Sequence, residues 1–268
     1  DCIMELVLPP KKKRSGLKTL RNWGIFLFLT VMYIWTFTGI DIDWGRAFER
    51  MINNFQRVIP KLFNPEWASI GKVWTAMVET LYIAFAGSLM AAIIAIPLGF
   101  MAAQNMTKSK VLTTFGKWVL SGIRAFPDLI LAILFVVAVG PNPFAGVLAI
   151  AIGSTGMLGK LYSEVLESID MNIVEAMEAS GANKVQILFH GVIPQIIPEF
   201  LSYAIYRFEI DVRASTILGI VGAGGIGTLI QFAQMNRNWE EMGLILLVIV
   251  VVVTIIDFLS ASIRKRIV

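Results

Sequence analysis

Within the apolar stretch "LSYAIYRFEIDVRASTIL" four ionisable residues stand at alternate positions: Arg207, Glu209, Asp211 and Arg213. At helical spacing Arg207 pairs with Asp211, and Glu209 with Arg213, each four residues along. An ionised side chain at the centre of a bilayer costs about 2.5–3.5 kcal/mol even on a lenient scale, so four of them cannot face lipid. They face protein or water. Two chemistries fit: a self-neutralising ladder along the helix faces, or the polar lining of a path through the membrane. An arginine fork binds phosphate-like anions, and neighbouring acids keep such binding weak enough for release. Tyr203 and Tyr206 on the same stretch belong to the candidate lining. Cys2 is the only cysteine and His190 the only histidine; no nucleophile–base pair or metal-ligating cluster is visible, so the sequence points away from an enzyme.

The elements that position these residues follow from composition. The 268 residues are 56% hydrophobic and 16% charged, with mean hydropathy +0.72, more apolar surface than one soluble core of this length needs. Runs near the ~20 residues that cross a bilayer are predicted at 23–40, 76–103, 118–139, 143–163, 195–220 and 242–263. None alternates as a barrel strand does. The fold class is therefore all-α, a polytopic membrane helix bundle of about six spans. With the N-terminus inside, fourteen Lys and Arg fall in the cytosol and six outside, which predicts cytosolic N- and C-termini. The run "KKKR" reads as the basic flank of the first span rather than as a nucleic-acid site, and that span reads as a retained anchor.

The predicted organisation is a basic cytosolic segment 1–22, a first span 23–40, an external segment 41–74 and a core 75–268 containing a cytosolic loop 164–194. Phe48, Met51, Ile52 and Phe55 predict an amphipathic helix in the external segment. Small residues in "AFAGSLMAAIIAIPLG" and "FAGVLAIAIGSTGMLG" predict closely packed spans.

The loop carries "EAMEASGANKVQILFHGVIP". Asp170 can cap a helix over 171–182, with Glu175 and Glu178 in its early turns; Gly181 breaks it or packs it tightly. A second short helix runs from Lys184 to His190, and Pro194 opens the next span. Two short helices meeting at a glycine, with Val185, Ile187, Leu188 and Phe189 between polar residues, predict a knob that docks on a partner. "GAGGIG" spells a dinucleotide fingerprint, but no strand–helix unit surrounds it; Gly222, Gly224, Gly225 and Gly227 predict instead a tight, flexible outer turn with close backbone approach. In "RAFPDL", Pro127 kinks or begins a helix, and Asp128 can cap it or pair with Arg124.

The knob resembles the E-A-A-x3-G-x9-I-x-L-P loop of permease subunits of bacterial ABC importers. Glu175, Ala176, Gly181 and Pro194 fall on the motif, Met177 replaces its second Ala, Gly191 stands in place of its first Ile, and Ile193 in place of its Leu. The longer stretches "RAFPDLILAILFVVAVGPNPFAGVLAIAIGSTGMLGKLYSEVLESID" and "YAIYRFEIDVRASTILGIVGAGGIGTLI" resemble phosphonate-type permeases, and "VGAGGIG" is shared with methionine-type ones. The resemblance covers about residues 75–265. It implies a type I ABC importer permease in the bacterial inner membrane that dimerises, as a homodimer or with a paralogue, around a pore for a phosphonate or related phosphorus oxyanion. Implied partners are a second permease subunit, two ATPase subunits and an external solute-binding protein, with lipid around the helices and no nucleic acid. Glu175, Ala176, Glu178, Ala179, Gly181, Ala182 and Pro194 would form the ATPase-coupling surface. Arg207, Glu209, Asp211, Arg213, Tyr203 and Tyr206 would line the path, and the four glycines of the outer turn would serve the gate or the binding-protein contact. The chain has no G-x4-G-K-[ST] stretch, so no cofactor is expected on it, and ATP and Mg would sit on the partner ATPase. Alternatives are a methionine-type solute, a secondary transporter and a membrane-embedded enzyme.

Overall fold

The computed structural model describes residues 16–39, 43–107 and 109–267. The basic residues 11–14, Cys2 and Asp41 lie outside the described residues. Every described element is helical, as the apolar runs predict. Among the described residues four helices are long and apolar enough to cross a membrane singly, and up to six spans result if each of two bent helix pairs counts as one.

The chain divides into two units, residues 1–57 and 58–268. The first contains α1 (Gly16–Thr38), whose side chains are exposed from Leu20 onward, and most of α2 (Trp44–Leu62). α2 is the predicted amphipathic helix, and none of its residues is buried, with Phe48, Met51, Ile52 and Phe55 all presented outward.

The second unit is built on α3 (Ile70–Ala102) and α6 (Pro143–Ser168), which pack along their length. Both carry the predicted small residues at the contact. A β-carbon on Gly87 would stand 2.7 Å from Ile150, and one on Gly99 would stand 2.9 Å from Tyr162. Asn142 caps α6 by accepting from the Ala145 amide at 3.1 Å, and Pro143 takes the first helical position, where its missing N–H costs nothing.

The expected single span over 118–139 is two helices. α4 (Lys110–Ala125) and α5 (Asp128–Val139) meet at 84°. Phe126 and Pro127 are both extended, with ψ of 124° and 139°. The clash of a proline ring with the preceding residue disfavours helix at Phe126, and the missing N–H of Pro127 prevents the ladder from continuing. α4 then lies on the glycines of α6: β-carbons on Gly156 and Gly159 would collide with Ile123, Arg124 and Leu120.

After α6 come α7 (Met171–Ala179), a helical turn α8 (Lys184–Gln186), a π-helical stretch Ile187–Val192, α9 (Ile193–Leu218), α10 (Ile226–Met235) and α11 (Trp239–Ile267). α10 was not expected from the sequence, because its ten residues follow a glycine turn and are too few to make an apolar run of their own. It meets the preceding helix at 45°. Buried Val73, Met77, Leu229, Leu244 and Ile245 join α3, α10 and α11 in one cluster.

A buried ion cluster, a polar cleft and an exposed knob

The four charges of α9 form the two expected pairs, and they lie on opposite faces. Two residues along a helix turn the side chain by about 200°, so Arg207–Asp211 and Glu209–Arg213 cannot look into the same space. The two pairs therefore meet different neighbouring helices, α6 on one side and α11 on the other.

The first pair faces α6. The Arg207 Nε lies 2.9 Å from both Asp211 Oδ1 and Ser154 Oγ, and the Ser154 hydroxyl lies 2.8 Å from both Asp211 carboxylate oxygens. Its single proton is donated to the carboxylate while its lone pairs receive the guanidinium. Arg207 Nη1 reaches the Met157 sulfur at 3.2 Å, and Nη2 stands 3.5 Å from Asp128 Oδ2. Asp211 is fully buried and Arg207 nearly so. A single buried charge would be untenable here; pairing plus hydrogen bonds makes the cluster tolerable. Gly153 is the reason Asp128 can approach, since a β-carbon there would collide with the Asp128 carboxylate.

Beyond Arg207 opens a cavity of about 380 Å³ lined by Arg124, Phe126, Asp128, Met157, Lys160 and Arg207, among others. Its walls come from α4, the bend, α5, α6 and α9. Neither Ser154 nor Lys160 stands out by spacing or motif. The bend at Pro127 is what brings Asp128 to Arg207, and no sequence spacing announces a contact 79 residues long.

The second pair faces α11. Glu209 accepts from Arg213 at 2.5 Å and from Arg264 at 3.0 Å, and Arg213 is also 3.3 Å from both oxygens of Asp257. The Arg264 guanidinium lies over the Tyr206 ring, 5.3 Å from its centroid. Tyr206 is thus part of this α9–α11 clasp. Tyr203 is half-buried against the cluster of Tyr162, Leu166, Ile196 and Phe200.

The glycine turn is tight for reasons visible at each residue. Gly222, Gly224 and Gly225 have φ of 91°, 82° and 72°, which disfavour any side chain. The Ile226 amide donates to Thr80 Oγ1 at 2.7 Å and the Gly225 amide to Glu79 at 3.3 Å, fastening the turn to α3. Gly227 faces Gly219 with a bare Cα on each side.

In the knob, Asp170 caps α7 as expected, accepting from the Asn172 amide at 2.9 Å. α7 has only nine residues, however, so Glu175 sits at its middle and Glu178 in its last turn, not in the early turns. Gly181 has φ of 83° and open space around it. Asn183 and Gln186 form a reciprocal capping box, both bonds 2.9 Å. The second helix does not stop at His190: α8 runs through the π-helical stretch into α9, so Pro194 lies inside a continuous helical segment. The widened turn falls just before Pro194, where the backbone lacks a donor. Glu175, Ala176, Glu178, Ala179 and Gly181 are exposed, Ala182 is half-buried, and Val174 and Ile187 anchor the knob beneath. Ile173, Val185 and Phe189 are exposed apolar residues on the same feature.

A bundle of membrane-length helices with paired charges held inside it and an exposed, apolar-edged knob fits the class of polytopic membrane components. Residues 95–268 match the model of the family described as binding-protein-dependent transport system inner membrane component, and the chain belongs to that family. It is similar to the phosphite transport system permease protein PtxC of Stutzerimonas stutzeri, 40% identical over 190 residues, covering 71% of this chain and 69% of that one. It is 36% identical over 239 residues to the phosphate-import permease protein PhnE of Mycolicibacterium smegmatis, covering 88% of this chain and 42% of that one. Its fold is that of the methionine ABC transporter MetNI in an inward-facing form, with a TM-score of 0.65, 20% identity, and coverage of 76% of this chain and 99% of that one. The protein is an integral inner-membrane permease of the type I ABC importer fold.

Proposed function

We propose that the chain is the permease subunit of an ATP-driven importer for a phosphorus oxyanion such as phosphonate, phosphite or phosphate. Two permease subunits, identical or paralogous, would enclose the path, with both termini cytosolic. Two ATPase subunits carrying ATP and Mg would dock on the knob through Glu175, Ala176, Glu178, Ala179, Gly181, Ala182 and Pro194. An external solute-binding protein would deliver the solute to the outer side, where the turn of Gly222, Gly224, Gly225 and Gly227 would form the gate. Among the lining candidates, Arg207 borders the cleft and Asp211 holds it from behind, fully buried, with Tyr203 one turn earlier on α9. Glu209, Arg213 and Tyr206 would act from the α11 face, at the contact that moves when α9 moves.

The observation that carries the reading is the cleft of Arg124, Lys160 and Arg207 in a chain 40% identical to a phosphite permease. Charges at this depth require water or protein in front of them, and an oxyanion path supplies both a reason for cations and a reason for tempering acids. The likeness to the methionine transporter speaks for the fold alone.

The test is uptake by proteoliposomes holding the permease with its ATPase and binding protein. ATP-dependent uptake of labelled phosphite, phosphate or methylphosphonate, with none of methionine, supports the reading. Uptake of methionine alone, or solute movement at full rate without the ATPase, overturns it. Altering Glu175 together with Gly181 should abolish co-purification of the ATPase.

A further inference from the structure

The cavity at Arg207 is one of three that adjoin along α4. The second, of about 290 Å³, shares Arg124, Lys160 and Glu164 with the first and adds Lys117, Ser121 and Glu167. The third, of about 430 Å³, shares Lys117 with the second and is lined by Gln104, Thr107, Lys110, Thr113 and Thr114. The series leads from the buried ion cluster to the connection between α3 and α4.

Lys110, Lys117 and Arg124 stand seven residues apart, so they fall within about 40° of one another around α4 and extend for roughly 21 Å along it. Thr114 and Ser121 share this face. Leu120 and Gly116 pack inward beside it, and Val111, Phe115 and Trp118 turn outward on the other side. None of these cations is saturated. Lys117 reaches Glu167 at 3.2 Å and Lys160 reaches Glu164 at 3.7 Å, both pairs substantially exposed, while Arg124 makes no ion pair among the described residues. Arg207, by contrast, is occupied by Asp211, Ser154, Met157 and Asp128.

We infer that the row Lys110, Lys117 and Arg124, with Lys160 opposite, is a stepped track for a phosphate-class oxyanion between the cleft and the cytosolic end of α4, and that Arg207 organises the cleft rather than carrying the anion. The inference rests on the proposed solute class. Cations set about 10 Å apart, with carboxylates paired to Lys117 and Lys160 and lining the cavities at Arg124 but not the one at Lys110, attract an anion at every step without a closed site at any, which is what passage requires.

Two measurements decide it. In the assembled transporter, Lys117→Gln and Arg124→Gln should each lower the amount of labelled phosphite or phosphate moved per ATP hydrolysed roughly tenfold, the scale of one lost charge-assisted contact. Lys117→Arg and Arg124→Lys should restore it. Wild-type ratios in the glutamine variants overturn the inference. The assay is run in phosphatidylcholine vesicles, because a row that serves anionic lipid headgroups would show no effect of neutralisation there, and that result also overturns it.

Independently of transport, Ser121→Cys in a Cys2→Ser background should react faster with an anionic than with a cationic methanethiosulfonate, and inorganic phosphite should slow the reaction. Equal rates, or no reaction, overturn the track even if the variants above fail to assemble. Failure of wild-type uptake with the labelling asymmetry intact would instead remove the proposed solute while leaving the anion track.

Discussion

The sulfur of Met177 lies over the bare Cα of Gly191, 3.1 Å from where a β-carbon would stand. These are two of the positions at which the knob departs from the importer loop motif it resembles, a large residue for Ala and none for Ile. The departures face each other, so the volume gained at one is removed at the other.

Gly191→Ile alone should therefore overpack this corner, costing about 1–3 kcal/mol and lowering ATPase co-purification. Adding Met177→Ala should recover most of the loss. Thermal unfolding of the detergent-purified complex and its subunit ratio measure both; equal damage in single and double variants would show that the two positions are independent.

The buried cluster predicts an asymmetry between breaking a pair and removing it. Asp211→Ala leaves the Arg207 guanidinium buried without its main partner and should cost about 3–5 kcal/mol, while Arg207→Met with Asp211→Leu should cost far less. A thermal-shift series on the purified transporter checks the order. Uptake should stay low in the double variant even where stability returns, because the cleft has lost the frame that sets it.

The helix bundle was legible because spans announce themselves by length and apolarity, and the pairs on α9 because four-residue spacing is a local signal. What stayed hidden was set by backbone geometry between distant segments. The 84° bend at Pro127 converts an apparent single span into two helices and carries Asp128 to Arg207. The opposed faces of the two ion pairs follow from helical periodicity and could have been read. Their partners Ser154, Asp257 and Arg264 could not, since each lies on another helix.

Two helical glycines, Gly156 of α6 and Gly122 of α4, should separate by what they meet. A methyl group at Gly156 would press on Ile123 and Arg124 at 2.8–2.9 Å, both held at the α4–α6 contact, so Gly156→Ala should cost about 1–3 kcal/mol and shift α4 with its cations. Gly122 has open space around it, and Gly122→Ala should be neutral or stabilise by up to about 1 kcal/mol through helix propensity. Unfolding midpoints of the two variants compare directly, and similar losses would mean that α4 does not rest on α6 as described.

The α9–α11 clasp predicts an order among its members. Glu209 is the buried centre, receiving Arg213 and Arg264 on separate oxygens, whereas the side chain of Arg213 is 51% exposed and keeps Asp257 as a second partner. Removing the acid takes from Arg264 its ion-pair partner and from Arg213 one of two, but removing Arg213 leaves Glu209 still paired with Arg264. Glu209→Leu should therefore destabilise by about 1–3 kcal/mol, since it removes two charge-assisted contacts but leaves part-exposed cations, and Arg213→Gln by about 1 kcal/mol or less, within the range of an exposed pair. Because Arg264 also lies over Tyr206, Arg264→Gln should fall between them. If transport depends on α9 shifting against α11, Arg213→Gln should change the uptake rate while scarcely moving the unfolding midpoint, a separation that a purely structural clasp would not produce.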